Sequence, residues 1–181
     1  RNLQPGEGFL ALRGNKFDGH NFVDEAIEKG ASCVIVGQEY TLSNEVEQLS
    51  NNIPILQVEN PLKAYQKIAR WWRHRFHIPV ISITGSVGKT TTKELIATVL
   101  ATQGKVLKTE ANYNNEIGVP KTLLQLSADD NYAVVEMAMR GPGEIAELTH
   151  IANPTIGLIT NVGTAHILSL IHISEPTRPR S

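Results

Sequence analysis

The chain is poor in cysteine, in aromatic residues and in long apolar runs. Its single cysteine, Cys33, excludes an internal disulfide framework and fits a reducing compartment, and its place in the apolar run 31–36 predicts a buried strand residue. No apolar run approaches the ~20 residues that cross a bilayer. The formal net charge of −1 gives no overall field toward nucleic acid or anionic lipid. We therefore predict a cytoplasmic protein with neither membrane insertion nor a nucleic-acid partner.

The 181 residues are 41% hydrophobic and 19% charged, which suits one large or two small globular domains. In residues 1–78 short apolar runs predict strands at 8–12, 33–36 and 53–58. A helical pattern covers residues 21–29 and is stopped by Gly30. This part of the chain is predicted to be a small α/β domain.

A helix is predicted to begin after Asn60, which can cap it, with Pro61 in its first turn. Apolar residues recur along it at three- and four-residue steps: Leu62, Tyr65, Ala69, Trp72 and Phe76. Basic residues crowd its C-terminal end: Arg70, Arg73, His74 and Arg75. Interaction with the helix dipole and with solvent is the favoured interpretation of these, and a phosphate-binding surface is the alternative.

Residues 79–167 alternate strand and helix patterns, which predicts a central domain with a mainly parallel sheet. Strands are predicted at 80–84, 105–108, 132–136 and 155–160, and helices at 89–102, 119–126 and 144–150. Ligands of such sheets gather at the carboxyl ends of the strands. Three polar residues fall at such ends: Thr84, Glu136 and Asn161.

A glycine-rich loop joins the first of these strands to the first helix. Its residues are Gly85, Ser86, Val87, Gly88, Lys89, Thr90 and Thr91. Glycines let backbone N–H groups approach phosphate oxygens, the lysine adds a cation and the threonine hydroxyl can meet Mg²⁺. Full P-loop spacing needs a glycine where Ile83 stands, so this is a shortened variant. The loop predicts an ATP or GTP phosphate site rather than an ordinary glycine turn.

Three further residues or segments carry candidate chemistry. Glu136 ends an apolar strand, and a carboxylate there can complete Mg²⁺ coordination opposite a P-loop threonine. The asparagine-rich segment 112–120 is either a capped turn or a loop that faces substrate. His166 is either a surface residue or a neutral imidazole that binds a divalent cation.

Residues 168–181 do not continue the strand–helix pattern, and Pro176 and Pro179 bar a regular element there. This segment resembles translated read-through of a sequencing-library adapter. We expect it to be non-native, so that the natural coding sequence is interrupted near Ile167.

Four segments, 84–91, 114–120, 136–145 and 159–166, together resemble the Mur ligases, the ATP-dependent amide-forming enzymes of peptidoglycan synthesis. Segments 10–14 and 17–20 are similar to the UDP-substrate domain of that family. The resemblance implies ATP and Mg²⁺ as cofactors. It is strongest to members that join D-alanyl-D-alanine to UDP-N-acetylmuramoyl-tripeptide, which implies those two substrates and an acyl phosphate intermediate.

Roles follow from matching positions in the family. The resemblance implies Lys89 and His166 as catalytic residues, Thr90, Glu136 and His166 as metal ligands, residues 85–91 and Asn161 as the nucleotide site, and Asn114 and Asn115 as substrate-binding residues.

The resemblance also implies a full-length enzyme that is monomeric and has three domains. Most of the family's N-terminal signature, the rest of the central domain and the third domain are expected to be missing, so the 181-residue chain is predicted to have no ligase turnover. A sibling Mur ligase or a folylpolyglutamate synthase is an alternative. A P-loop switch or transport module is a further one.

Overall fold

The computed structural model describes residues 3–14, 17–41 and 53–162. Contacts divide the chain into two compact units, Arg1–Tyr65 and Gln66–Ser181. This division falls earlier than the predicted domain boundary between residues 78 and 79, which stays a prediction. Among the helices within the described ranges, none is long and apolar enough to cross a membrane.

The first unit is built on a three-stranded parallel sheet. Its strands, in the order β1-β2-β3, are β1 (Gly8–Leu10), β2 (Cys33–Gly37) and β3 (Ile55–Val58). A 3₁₀ turn, Gly19–Phe22, leads into α1 (Val23–Glu28), and Gly30 adopts φ +82° where the helix ends. The buried core residues are Ala11, Val23, Ala26, Ile27, Ala31, Val34 and Val36. Cys33 begins β2 as predicted but is partly rather than fully buried.

A polar network centred on His20 ties the loop before the 3₁₀ turn to the end of β2. The His20 Nε2 atom accepts the Gly37 N–H at 2.9 Å, which assigns the ring proton to Nδ1. The backbone N–H of His20 donates to Asp18 Oδ1 at 3.0 Å, and its Nδ1–H donates to the same oxygen at 2.5 Å. These two hydrogen bonds, the backbone one above all, hold the pKa of Asp18 well below its usual range. The ring also stacks on Tyr40. Segment 17–20, one of the two that resemble the family's UDP-substrate domain, therefore has a structural role within its own unit.

The second unit holds a four-stranded parallel sheet in the order β5-β6-β4-β7. Its strands are β4 (Val80–Thr84), β5 (Val106–Lys108), β6 (Tyr132–Glu136) and β7 (Ile156–Ile159). The helices are α2 (Pro61–Arg73), which spans the division between units, α3 (Lys89–Leu100), α4 (Gly118–Leu123) and α5 (Glu144–Ala152). The mixed α/β class with mainly parallel sheets is confirmed.

Helices cover both faces of this sheet, so its two central strands are apolar on both sides. Alternate residues of a strand point to opposite faces. Val80 and Val135 accordingly pack with α2, α4 and α5, whereas Ile83 and Val134 pack with α3, and all four are fully buried. This burial explains why β4 and β6 are largely apolar rather than alternating between apolar and polar residues.

Arg73 is buried, with 5% of its surface exposed, and the predicted solvent-facing role was wrong for this residue. Its guanidinium donates to the carbonyl oxygens of Phe76 (2.6 Å) and Ile78 (3.4 Å), just beyond α2. It also donates to Ala152 (3.0 Å) and Asn153 (3.3 Å), at the end of α5. Burial lowers the pKa of this guanidinium. One side chain thus joins two helix ends within the second unit.

Replacing Arg73 by Met should lower the free energy of unfolding by about 3 kcal/mol, because buried carbonyls lose their donors. Arg70 lies on the same helix but is exposed. Arg70→Met, the matched control, should change stability by no more than about 0.5 kcal/mol. Urea denaturation of the two variants checks this, and equal losses would contradict the assigned role.

Candidate functional site

The glycine loop after β4 opens onto the start of α3. Gly85 and Gly88 adopt φ values of +136° and +83°, a region that side chains disfavour. Gly88 is also the N-cap of α3, and it supplies no side-chain cap. The N-terminus of this 12-residue helix is therefore left open to an anion, where backbone N–H groups and the helix dipole favour negative charge.

The segment after β7 supports this loop from beneath. Asn161 accepts the Val87 N–H through Oδ1 at 2.9 Å and the Ser86 N–H through its carbonyl at 3.3 Å. The Thr160 hydroxyl donates to the Val87 carbonyl at 2.6 Å. A Cβ added at Gly85 would overlap the Thr160 hydroxyl and approach Asn161 N to 3.0 Å. Asn161, predicted to face nucleotide, is thus placed as a buttress of the loop.

Lys89 lies over the loop that precedes it. Its Nζ donates to the carbonyl oxygens of Gly85 at 2.6 Å and of Ser86 at 3.3 Å. The side chain is partly buried rather than extended into solvent. The structure therefore places a cation at the mouth of the loop, where the sequence predicts phosphate.

Thr90 and Glu136 meet, as the sequence predicts for a metal site. The Thr90 hydroxyl donates to Glu136 Oε2 at 3.0 Å, and Asn114 Nδ2 donates to Oε1 at 2.8 Å. Glu136 is 3% exposed and lies at the carboxyl end of β6, paired in register with Ile83 of β4. A hydroxyl and a carboxylate are hard oxygen ligands of the kind that Mg²⁺ prefers. The residues present therefore fit a magnesium ion held together with phosphate oxygens.

Two residues of this cluster were missed from the sequence, Lys93 and Thr109. Lys93 is 2% exposed, and its Nζ lies 4.0 Å from Glu136 Oε2. Thr109 is fully buried, and its hydroxyl accepts the Glu136 N–H at 2.9 Å. Lys93 falls four residues after Lys89 and three after Thr90, so helix periodicity could have placed it on the same face. No sequence signal marks Thr109.

The remaining predicted residues are less central to this cluster. Asn115 Oδ1 accepts the N–H groups of Ile117 (3.2 Å) and Gly118 (2.8 Å), which is a cap at the start of α4. Thr91 is exposed in the first turn of α3. His166 lies outside the described residues. Across the ranges that the structure describes, no group of three or more His, Cys, Asp or Glu residues could hold a metal.

Two family models match this chain. The model described as "Mur ligase family, catalytic domain" matches residues 1–73, and "Mur ligase middle domain" matches residues 83–172. The second match runs beyond the predicted end of the native sequence near Ile167.

Curated relatives match most of the chain. It is 60% identical over 167 residues to UDP-N-acetylmuramoyl-tripeptide–D-alanyl-D-alanine ligase of Synechocystis sp., covering 92% of this chain and 36% of the relative. The enzyme of the same name from Bacillus subtilis is 39% identical over 170 residues, covering 94% and 36%. The chain thus spans about a third of the length of these relatives.

Solved structures agree with the sequence matches. A crystal structure of MurF from Acinetobacter baumannii superposes with a TM-score of 0.82 at 36% identity, covering 92% of this chain and 35% of that one. MurF ligase from Thermotoga maritima in complex with ADP gives a TM-score of 0.79 at 37% identity, covering 91% and 36%. The predicted family is confirmed on sequence and fold together: the chain belongs to the Mur ligase family.

Proposed function

We propose that the protein represented by this chain is an ATP-dependent ligase that joins D-alanyl-D-alanine to UDP-N-acetylmuramoyl-tripeptide during peptidoglycan precursor synthesis. The observation that carries the proposal is the pairing of Thr90 with buried Glu136 beside an open helix N-terminus. The two curated relatives above bear that activity in their names, which favours D-alanyl-D-alanine over another acceptor of the family. A cytoplasmic location and a monomeric full-length enzyme belong to the same proposal.

Nucleotide binding would use the loop and the first turn of α3. Backbone N–H groups and the Lys89 cation would take the phosphate oxygens, exchanging the lysine's bonds to Gly85 and Ser86 for bonds to the ligand. Thr90 and Glu136 would hold a magnesium ion, which would neutralise the charge that develops on the phosphate. His166 is proposed as a ligand of a second metal site on the resemblance alone.

The proposed reaction activates a carboxylate that is otherwise a poor acyl donor. A carboxylate oxygen of the tripeptide attacks the γ-phosphorus of ATP and ADP leaves, which gives an acyl phosphate. The amine of D-alanyl-D-alanine then attacks the acyl carbon, phosphate leaves and the amine loses a proton. Asn114 and Asn115 lie in the loop proposed to face substrate. Asn114 donates a hydrogen bond to Glu136, so a substrate that contacts Asn114 would also affect the position of the proposed metal ligand Glu136.

The 181-residue chain should bind Mg-ADP, and Lys89→Ala should weaken that binding roughly 30-fold, about 2 kcal/mol for a lost hydrogen bond to a charged group. Lys105 is an exposed lysine that precedes β5, at the opposite end of the parallel strands from the loop, so Lys105→Ala is the matched control and should leave the affinity unchanged. Isothermal titration calorimetry measures both. Equal affinities of wild type and Lys89→Ala would contradict the site.

Gly85→Ala should abolish nucleotide binding, because the added methyl group would collide with the Thr160 hydroxyl and strain a residue at φ +136°. At Gly141 an added Cβ has its nearest neighbour at 3.9 Å, from Glu144. Gly141→Ala should therefore bind as the wild type does. Fluorescence titration with a labelled ADP checks the pair, and the site is refuted if Gly85→Ala binds normally while folded.

Whether residues 1–167 support this reaction can be tested in a chimera in which they replace the matching part of the Synechocystis enzyme. Phosphate release by this chimera should require UDP-N-acetylmuramoyl-tripeptide and should respond to D-alanyl-D-alanine, but not to glutamate or a diamino acid. A folded chimera that releases no phosphate with these two substrates would contradict the proposal. The 181-residue chain, assayed beside it, is predicted to show no turnover.

A further inference from the structure

Lys93 is a charged side chain buried in the body of the second unit. Only 2% of its surface is exposed, although it lies on α3, one turn after Lys89. Its Nζ donates to the Thr109 carbonyl at 2.8 Å and lies 3.2 Å from Glu94 Oε1. Burying an ammonium is costly unless it is paired, so its position calls for a compensating role.

Thr109 holds Lys93 and Glu136 at once. Its carbonyl accepts from the lysine, and its hydroxyl accepts the Glu136 N–H at 2.9 Å. Thr109 follows directly on β5, and its own N–H donates to Val134 of β6. The lysine and the glutamate are thus fixed against one fully buried residue.

Lys93 lies close enough to the Glu136 carboxylate to balance its charge but too far away to form a hydrogen bond with it. Nζ lies 4.0 Å from Glu136 Oε2, beyond a hydrogen bond but close enough for strong attraction in a buried setting. The direct donors to this carboxylate, Thr90 and Asn114, are uncharged. Within the described parts of the chain, the ion pair of Glu136 is with Lys93. The lysine can therefore balance the charge of Glu136 without taking the lone pairs that a metal ion would use.

We propose that Lys93 is a positioning residue that holds Glu136 in place, with its charge balanced, for the magnesium ion that accompanies the nucleotide. The proposal rests on the proposed nucleotide site. Lys93 itself touches neither phosphate nor metal in this role. Outer-shell partners of this kind typically change metal affinity 10–100-fold when removed.

The first measurement is the gain in ADP affinity on adding Mg²⁺ to the 181-residue chain, relative to the affinity in EDTA. Lys93→Met and Lys93→Gln should each reduce this gain at least 10-fold and change the EDTA affinity less than 3-fold. The Gln variant keeps a donor for the Thr109 carbonyl and so protects the fold. Lys108 pairs with Glu94 at the edge of the same cluster. Lys108→Met, the matched control, should leave the gain unchanged.

The second measurement needs no nucleotide. A double-mutant cycle of Lys93→Met and Glu136→Gln should show coupling of roughly 10-fold or more in the unfolding equilibrium constant, because either single change breaks the ion pair between these two buried side chains. A single variant that unfolds and is restored by the second change counts as such coupling.

Coupling below 2-fold, or a folded Lys93 variant that keeps the full magnesium gain, would overturn the proposal. If the wild-type chain binds no ADP while the coupling is present, the proposed nucleotide site fails, but the link between Lys93 and Glu136 stands.

Discussion

The buried carboxylate of Glu136 is the constraint on which the second unit's polar architecture depends. A carboxylate that is 3% exposed has lost its hydrogen bonds to water, and protein donors and a nearby cation must replace them. Those partners come from two places: Thr90 and Lys93 on α3, and Thr109 and Asn114 in the segment 109–117 between β5 and α4. Compensating one charge therefore fixes a helix and a connecting loop around the same point.

The sheet makes this convergence possible. β4 and β6 are parallel neighbours, so the loop after β4 and the carboxylate that ends β6 reach the same edge. α3 leaves that edge with Gly88 as its cap, which brings Thr90 onto Glu136 within the first turn. One strand order thus brings the glycine loop and the Glu136 carboxylate together, so they are not two independent features.

Local signals predicted much of this arrangement, and long-range burial accounts for what they missed. Two glycines before a lysine, and an acid at the end of an apolar strand, are visible in the sequence and fell where expected. Arg73 and Lys93 were misjudged or overlooked because charged residues on a helix normally face water. Both side chains can be buried because each donates to a backbone carbonyl far along the chain, that of Ala152 for the arginine and that of Thr109 for the lysine. Such acceptors carry no side-chain signature.

The two lysines of α3 show how the same residue type takes opposite roles one turn apart. Lys89 bonds to backbone carbonyls of a partly exposed loop, and these are partners that water can replace when the ammonium turns to another anion. Lys93 bonds to a fully buried carbonyl, so moving it would strand a charge and an acceptor without solvent. Exposure alone therefore separates an exchangeable cation from a fixed one. A helix that begins at a ligand site can supply both because residues four apart share a face while differing in depth.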